Sequence, residues 1–112
     1  MEMSFFEKAG DVLADWNKEE FRKLFHEDFW FIRETELVTL DDHINNFDKL
    51  MSKPENAKEL IERRRNALVH ENDFVTEVRF EEKGEIVTNV FLKKDGLGWR
   101  SIVNRVPISS TK

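Results

Sequence analysis

Residues 62–106 read ERRRNALVHENDFVTEVRFEEKGEIVTNVFLKKDGLGWRSIVNRV, and the division of this stretch into strands decides the fold. Three short connections, at 70–74, 81–85 and 94–97, carry the glycine, asparagine and aspartate residues that tight turns require. Between them apolar and polar residues alternate, as they do in strands that are buried on one face. The stretch therefore predicts a meander of four antiparallel strands whose inner face forms the floor of a pocket.

The register of this meander depends on its two glycine turns. Asp95-Gly96 favours a two-residue hairpin that pairs Lys94 with Leu97, because both central positions need positive φ. The turn at Gly84 fits a two-residue or a three-residue loop, and the longer loop separates apolar from polar residues more cleanly. With that loop, the inner face is expected to carry Arg65, Ala67, Val69, Glu71, Phe74, Thr76, Val78, Phe80, Ile86, Thr88, Val90, Leu92, Trp99, Ser101, Val103 and Arg105.

Capping signals predict three helices. Ser4, with a glutamate three residues later, forms a capping box that begins a helix ending at about Ala14. Asn17 caps a second short helix, closed by residues 26–28. Thr39 or Asp41 caps a third helix, which stops before Pro54. Aromatic and β-branched residues predict short buried strands at 28–33 and 36–39.

Residues 55–69 fit two patterns. Apolar periodicity favours a helix, whereas alternation from Ile61 to Val69 fits a strand. We predict a helical or irregular start to about Glu59 and a strand thereafter, because the meander otherwise has only three strands to cover an aromatic helical layer.

Composition narrows the function classes. The 112 residues are expected to form one domain, 1–112, with an aromatic core supplied by ten Phe and three Trp. The net charge of −5 argues against nucleic-acid and anionic-membrane surfaces, which require basic patches. The chain contains no Cys, which excludes disulfides and thiol catalysis. An early acidic residue and no long apolar run predict a soluble, cytoplasmic protein.

The order of elements and four local features resemble a known superfamily. The features are Trp16 before the second helix, the run Leu24-Phe25-His26-Glu27-Asp28-Phe29 into a strand, a helix from Thr39 to Phe47, and Lys94-Asp95-Gly96-Leu97-Gly98-Trp99-Arg100 before the last strand. Together they resemble SnoaL-like, ketosteroid-isomerase-related domains of the nuclear-transport-factor-2-like superfamily. The resemblance implies an α+β fold in which a cone-shaped, curved antiparallel sheet is covered by three helices.

Two departures from that family bear on mechanism. Alignment with the steroid isomerases places Arg33 where they carry the aspartate that shuttles the proton, and the chain contains no Tyr to stabilise an oxyanion. The resemblance therefore does not imply the isomerase mechanism. The fold also includes cyclases, dehydratases, epoxide hydrolases and non-catalytic binders, and no residue of this chain selects among them.

Arginines on the predicted inner face are candidate ligand contacts. Arg65 and Arg105 share a predicted row, and Arg33 can join them to clamp a carboxylate with paired guanidinium donors. Alternatively, these arginines lie at a rim and pair with helix carboxylates or water. The ligand suggested by this pattern is a small apolar or carboxylate-bearing molecule.

Glu71 and His26 are the candidate catalytic residues. An apolar surrounding, with Trp99 nearby, is expected to raise the pKa of Glu71 towards that of a general base. Alternatively, Glu71 is solvated beside its turn. His26 can form an acid–base pair with Asp28, or interact with the carbonyl end of the second helix.

The remaining candidates are hydroxyl and aromatic residues. Thr76, Thr88 and Ser101 can orient a ligand, although threonine also favours strands for its β propensity. The predicted core and pocket lining are Trp16, Phe25, Phe29, Phe31 and Phe47. The three histidines show no metal-binding spacing, so no metal or other cofactor is expected.

Apolar residues on the predicted outer sheet face suggest a homodimer, as the resemblance also implies. They are Val75, Val87, Phe91, Ile102 and Val106. Three functions remain open: a small-molecule binding domain of SnoaL-like type, a cofactor-independent isomerase, cyclase, dehydratase or hydrolase, and a non-catalytic dimeric interaction protein.

Overall fold

The computed structural model describes residues 3–108 and has an α+β architecture in which four helices cover one face of a curved, unclosed sheet. The helices are α1 (Phe5–Ala14), α2 (Lys18–Arg22), α3 (Leu40–Met51) and α4 (Pro54–Arg65). The strands are β1 (Phe25–Arg33), β2 (Glu36–Thr39), β3 (Leu68–Glu71), β4 (Val75–Glu82), β5 (Glu85–Lys94) and β6 (Leu97–Pro107). They lie in the order β2-β1-β6-β5-β4-β3, and only the β1–β6 pair is parallel. Within residues 3–108, no helix has the length and apolar character needed to cross a bilayer.

The predicted helix caps are confirmed. The Ser4 hydroxyl accepts a hydrogen bond from the Glu7 amide at 3.1 Å, and the Glu7 carboxylate accepts one from the Ser4 amide at 3.0 Å. Asn17 accepts two amide hydrogen bonds at the start of α2, and Thr39 caps α3. These contacts satisfy amides that have no partner within the first turn of a helix, which explains why the starts could be located from sequence.

Two element boundaries correct the predictions. Residues 54–65 form a complete fourth helix, with Pro54 in its first turn where a missing N–H does no harm, so the strand predicted from about residue 60 is wrong. The helical periodicity of residues 55–65 therefore predicts the observed structure. The sheet is completed by β1 and β2 rather than by residues 60–65. Residues 26–28 belong to β1, since α2 already ends at Arg22.

The register of β5 differs from the prediction by one residue. Lys83 and Gly84 both adopt positive φ, 48° and 79°, and form a two-residue turn that pairs Glu82 with Glu85. Such a turn matches the twist of the flanking strands. The concave, helix-covered face of β5 therefore carries Val87, Asn89 and Phe91, and the predicted set Ile86, Thr88, Val90 and Leu92 lies on the outer face.

Because of a bulge in the last hairpin, the β6 side chains from Ser101 onwards lie on the sheet faces predicted for them. The Asp95-Gly96 turn pairs Lys94 with Leu97 as predicted, but the register shifts between Leu92 and Lys93. Leu92 consequently lies opposite Arg100 rather than opposite Trp99. The bulge adds one residue to β6, so it compensates for the shift in β5, and Ser101, Val103 and Arg105 keep their predicted inner face.

The tightest part of the core lies between the helices and the β1–β6 pair. Its buried members are Phe5, Ala9, Phe21, Leu24, Phe25, Phe29 and Ile44. Gly98 faces this cluster so closely that a Cβ atom there would be 2.9 Å from Phe25 and 3.1 Å from Phe5. A side chain at position 98 would therefore displace core aromatic rings.

Candidate functional site

A cavity of about 410 Å³ lies between the concave sheet face and helices α1, α3 and α4. Its aromatic lining consists of Phe5, Phe6, Phe21, Phe25, Phe31, Phe47, Phe80 and Phe91. Its polar lining consists of Arg33, His43, Arg63, Arg64, Thr76, Glu82, Asn89 and Arg105. A volume of this size and a wall that combines aromatic rings with polar side chains are typical of small-molecule sites.

The strand register positions the polar residues of the cavity floor. Arg33, Val103 and Asn89 occupy one row across β1, β6 and β5, because each is paired with the next. Arg105 lies two residues beyond Val103 on the same face of β6 and is paired with Val87. Arg33 and Arg105 are thus diagonal neighbours on adjacent strands, so both side chains can contact the same group of a ligand.

Glu82 joins two arginines of the cavity lining. Its carboxylate accepts hydrogen bonds from Arg63 at 3.0 Å and from Arg105 at 3.2 Å. Arg33 pairs with Glu36 at 2.8 Å at the end of β1. Among residues 3–108, four arginines and one glutamate line the cavity, and Glu36, Glu59 and Glu85 pair with three of those arginines from outside the lining.

The prediction that Arg65 and Arg105 share a row on the inner sheet face is wrong. Arg65 lies on α4, where its side chain is 72% exposed and pairs with Glu62 at 3.7 Å. Because the helix continues through residue 65, Arg63 faces the cavity instead, one turn after Leu60. The helical periodicity of residues 55–65 was the signal that could have identified Arg63.

His43 is a cavity residue that the candidate site predicted from sequence did not include. It lies on α3 with a 5% exposed surface, and its ring contacts Phe21, Phe25, Phe29, Phe31 and Phe47 at centroid distances of 4.9–5.7 Å. Burial lowers its pKa to about 4, so the imidazole is neutral at pH 7. Its position four residues before Phe47, which was predicted to be buried, was a signal for its inward orientation.

Asn89 is the second polar residue that was missed. Its side-chain oxygen accepts a hydrogen bond of 2.9 Å from Ser101, which is fully buried. The predicted ligand contact Ser101 thus lies beneath Asn89 and orients its amide. The one-residue error in the β5 register had placed Asn89 on the outer face.

Glu71 holds the first turn of α1 to the sheet. Its carboxylate accepts hydrogen bonds from the Thr76 hydroxyl and from the Phe6 amide, at 3.1 Å for the latter, and pairs with the buried Lys93 at 3.3 Å. Burial opposes its ionisation, but the Ser4 and Thr76 hydroxyls, the Phe6 amide and the Lys93 charge together hold the pKa of Glu71 below its usual value. The expected rise in pKa is therefore wrong, and Glu71 is not among the cavity-lining residues.

His26 also lies away from the cavity lining. Its Nδ1 atom accepts a hydrogen bond from the Asp28 amide at 3.1 Å, and its Nε2 atom is 3.9 Å from Asp95. Neither predicted catalytic residue is thus positioned on the cavity wall. His26 is part of β1 and lies four residues after the end of α2.

The other predicted ligand contacts divide into two groups. Thr76, Phe31 and Phe47 line the cavity with Arg33 and Arg105. Four predicted contacts lie outside the lining. Thr88 is on the outer sheet face, and Phe29 belongs to the core. The Trp99 ring lies 3.9 Å from the Arg100 guanidinium, and Trp16 donates a hydrogen bond of 3.0 Å to Asp48. Among residues 3–108 there is no cluster of three or more His, Asp or Glu side chains suited to a metal ion.

Comparisons with known proteins reveal similarity only at the level of structure. No protein-family model and no curated protein matches the chain. An NTF2-like protein of unknown function from Cytophaga hutchinsonii is 12% identical, with a TM-score of 0.61 over 100% of this chain and 98% of that one.

Two further solved structures have functional descriptions. A putative polyketide cyclase from Sinorhizobium meliloti is 14% identical, with a TM-score of 0.59 over 89% of this chain and 93% of that one. A putative ketosteroid isomerase from Kribbella flavida is 16% identical, with a TM-score of 0.56 over 91% of this chain and 75% of that one. At such identities a shared activity does not follow from a shared architecture. The comparisons, together with the curved sheet and its helical cover, establish that this chain has the nuclear-transport-factor-2-like fold.

Proposed function

We propose that this protein is a small-molecule binding domain of SnoaL-like type whose cavity takes an anionic molecule with an apolar body, such as a carboxylic acid. The observation that carries this proposal is the position of Arg33, Arg63 and Arg105 on the wall of an aromatic cavity in a net acidic chain. Guanidinium groups bind carboxylates through paired donors, and the phenylalanine rings suit an apolar body.

The ion pairs already present leave these arginines able to bind a ligand. Arg33 pairs with Glu36, Arg63 pairs with Glu59 and Glu82, and Arg105 pairs with Glu82 and Glu85. A guanidinium has five N–H donors, so one or two carboxylate oxygens do not satisfy it. Arg33 and Arg105 are also partly exposed, at 48% and 37%, which makes their ion pairs weak and easily exchanged.

A binding role is better supported than a catalytic one. Glu71 and His26 were the candidate proton carriers, and both lie off the cavity lining. His43 does line the cavity, but a base with a pKa of about 4 is poorly matched to proton abstraction at neutral pH. An enzymatic isomerase, cyclase, dehydratase or hydrolase would need a proton carrier that these positions do not supply.

The proposed binding is tested by calorimetric titration with decanoate and, as a neutral control, decanol. We expect saturable binding of decanoate, weaker binding of decanol, and a loss of about tenfold in decanoate affinity for Arg105→Gln. Arg65→Gln is the matched control, because Arg65 is exposed outside the cavity and its replacement should leave the affinity unchanged. Equal affinities for decanoate and decanol, or equal losses in both variants, would count against the proposal.

We also propose that a second copy of the chain covers the outer sheet face and forms a homodimer. Val90, Ile102, Ile32 and Leu37 are paired in sequence across β5, β6, β1 and β2, which makes an unbroken apolar row. Leu92, Trp30, Ile86 and Val106 extend this row on the same face, opposite the helices. Two residues of the original prediction, Val87 and Phe91, are excluded because they line the cavity.

Charges around the row favour a copy of the same chain. Glu77 and Glu81 alternate with Arg79 on β4, and Arg100 lies near Trp30, so the face offers both signs. A two-fold interface needs such self-complementarity, because each patch meets itself reversed. Sedimentation velocity at micromolar concentration should give a dimer that Ile102→Lys dissociates, whereas Asn46→Lys on the exposed side of α3 should not. A monomeric mass for the unaltered protein would overturn the dimer.

A further inference from the structure

We propose that His43 and Asn89 together bind a neutral oxygen, a ketone or a hydroxyl, on the apolar body of the ligand, which makes the ligand class an oxygenated carboxylic acid rather than a plain one. This deepens the anion-binding function proposed above and rests on it. Neither residue is part of the arginine group, and both belong to the lining of the same cavity.

His43 has hydrogen-bonding atoms that face the cavity. It is 5% exposed, and its imidazole makes no hydrogen bond to any side chain or backbone group of residues 3–108. Yet no fully enclosed side-chain nitrogen or oxygen in these residues lacks a partner. The imidazole nitrogens are therefore not fully enclosed, and the cavity is the space that the ring borders.

The surroundings of His43 select a neutral ligand group. Five phenylalanine rings enclose the imidazole and provide no opposite charge, and burial keeps its pKa at about 4. A neutral imidazole has one N–H donor and one acceptor nitrogen. It pairs well with a carbonyl or hydroxyl oxygen, whereas the carboxylate is better stabilised by the arginines.

Asn89 provides a second donor on the wall of the same cavity. Because the Ser101 hydroxyl donates to its side-chain oxygen, the amide NH₂ of Asn89 is directed away from that bond and is available to a ligand. The two residues are linked by direct contacts: the His43 ring packs on Phe31, Phe31 is paired with Ser101, and Ser101 bonds Asn89. Arg33 occupies the same sheet row as Asn89, two strands away, or about 10 Å at the usual strand spacing.

Removing a buried donor from one ligand contact changes affinity modestly but selectively. A neutral hydrogen bond is worth roughly five- to tenfold in affinity. The distinguishing property is thus a preference between two acids that differ only in one oxygen, since both make the same arginine contacts. That preference should depend on His43 and Asn89.

The test compares decanoate with its mono-oxo derivatives, in which the ketone is moved one carbon at a time. We expect at least one oxo acid to bind the unaltered protein about five- to tenfold more tightly than decanoate. His43→Phe keeps the aromatic volume, and Asn89→Leu combined with Ser101→Ala removes both partners of the buried hydrogen bond. Both variants should lose the preference for the oxo acid over decanoate, and Arg105→Gln should weaken the binding of both acids equally.

A second measurement on the unaltered protein does not depend on the folding of any variant. With ¹⁵N-labelled histidine, the preferred oxo acid should shift the ring nitrogen signal of His43, whereas decanoate should leave it nearly unchanged. Decanoate binding without an oxo preference, or a preference that persists in His43→Phe, would overturn the roles of His43 and Asn89 and leave the anion site standing. Failure of decanoate and of every oxo acid to bind would overturn both proposals.

Discussion

Glu71 accepts a hydrogen bond from the backbone amide of Phe6 at 3.1 Å, which ties the end of β3 to the first turn of α1. The carboxylate lies where the amides of a helix N-terminus favour negative charge, and Lys93 neutralises it from β5 at 3.3 Å. The residue predicted to move protons thus attaches a cavity wall to the cavity floor.

The charge of Glu71 is expected to make the protein sensitive to acid. Because its pKa is lower in the folded chain than the usual 4.5, ionised Glu71 stabilises the fold above that pH, and the stabilisation is lost as the pH falls through the lowered value. Urea unfolding of Glu71→Gln should therefore show a shallower loss of stability below pH 4.5 than the unaltered protein. Identical slopes in this range would show that Glu71 does not contribute through its charge.

His43 should add a second acid dependence at higher pH. Its pKa falls from 6.5 in the unfolded chain to about 4 in the folded one, so the unfolded state takes up more protons between these values. The free energy of unfolding should drop by about 3 kcal/mol as the pH falls from 6.5 to 4. In His43→Phe this drop should be absent, while the Glu71 dependence at lower pH remains.

Arg64 and its neighbour Arg65 should differ sharply in their effect on stability. Arg64 donates a 2.6 Å hydrogen bond to the Phe6 carbonyl and stacks on the Phe6 ring at 3.9 Å, which fixes α4 to α1. Arg64→Ala is expected to lower the free energy of unfolding by about 2–3 kcal/mol. Arg65→Ala, which removes only an exposed pair with Glu62, should change it by less than about 0.5 kcal/mol. Equal effects in thermal or urea unfolding would contradict this assignment.

Two glycine substitutions should change stability in opposite directions. Gly98→Ala places a methyl group 2.9 Å from Phe25 and should destabilise the protein by about 1–3 kcal/mol, because the Phe25 and Phe5 rings must shift to make room for it. Gly10→Ala lies within α1, with its nearest contact at an ordinary 3.5 Å, and should stabilise by about 0.5–1 kcal/mol through helix propensity. If the unfolding midpoints of the two variants move in the same direction, the claim that Gly98 is closely packed and Gly10 is not would be refuted.

The errors at Asn89, Thr88 and Arg65 come from the register or the type of the element that carries each residue. A loop of two rather than three residues at Gly84 moves β5 by one position, which exchanges every inner side chain for an outer one. Asn89 was therefore missed, and Thr88 was assigned to the cavity. The same logic applies to Arg65, since a helix and a strand through residues 60–65 present different residues to the sheet.

The sequence alone determined the features that depend on neighbours in the chain. Caps at Ser4, Asn17 and Thr39 and turns at Gly84 and Gly96 follow from local hydrogen bonding and φ preferences, and they suffice for an α+β meander. The tertiary structure alone decided the register of β5, the bulge that re-aligns β6, and the contacts that join His43, Asn89 and Arg33 around one cavity. These depend on the twist and curvature of the whole sheet, where alternative registers differ by one residue and local patterns do not distinguish them.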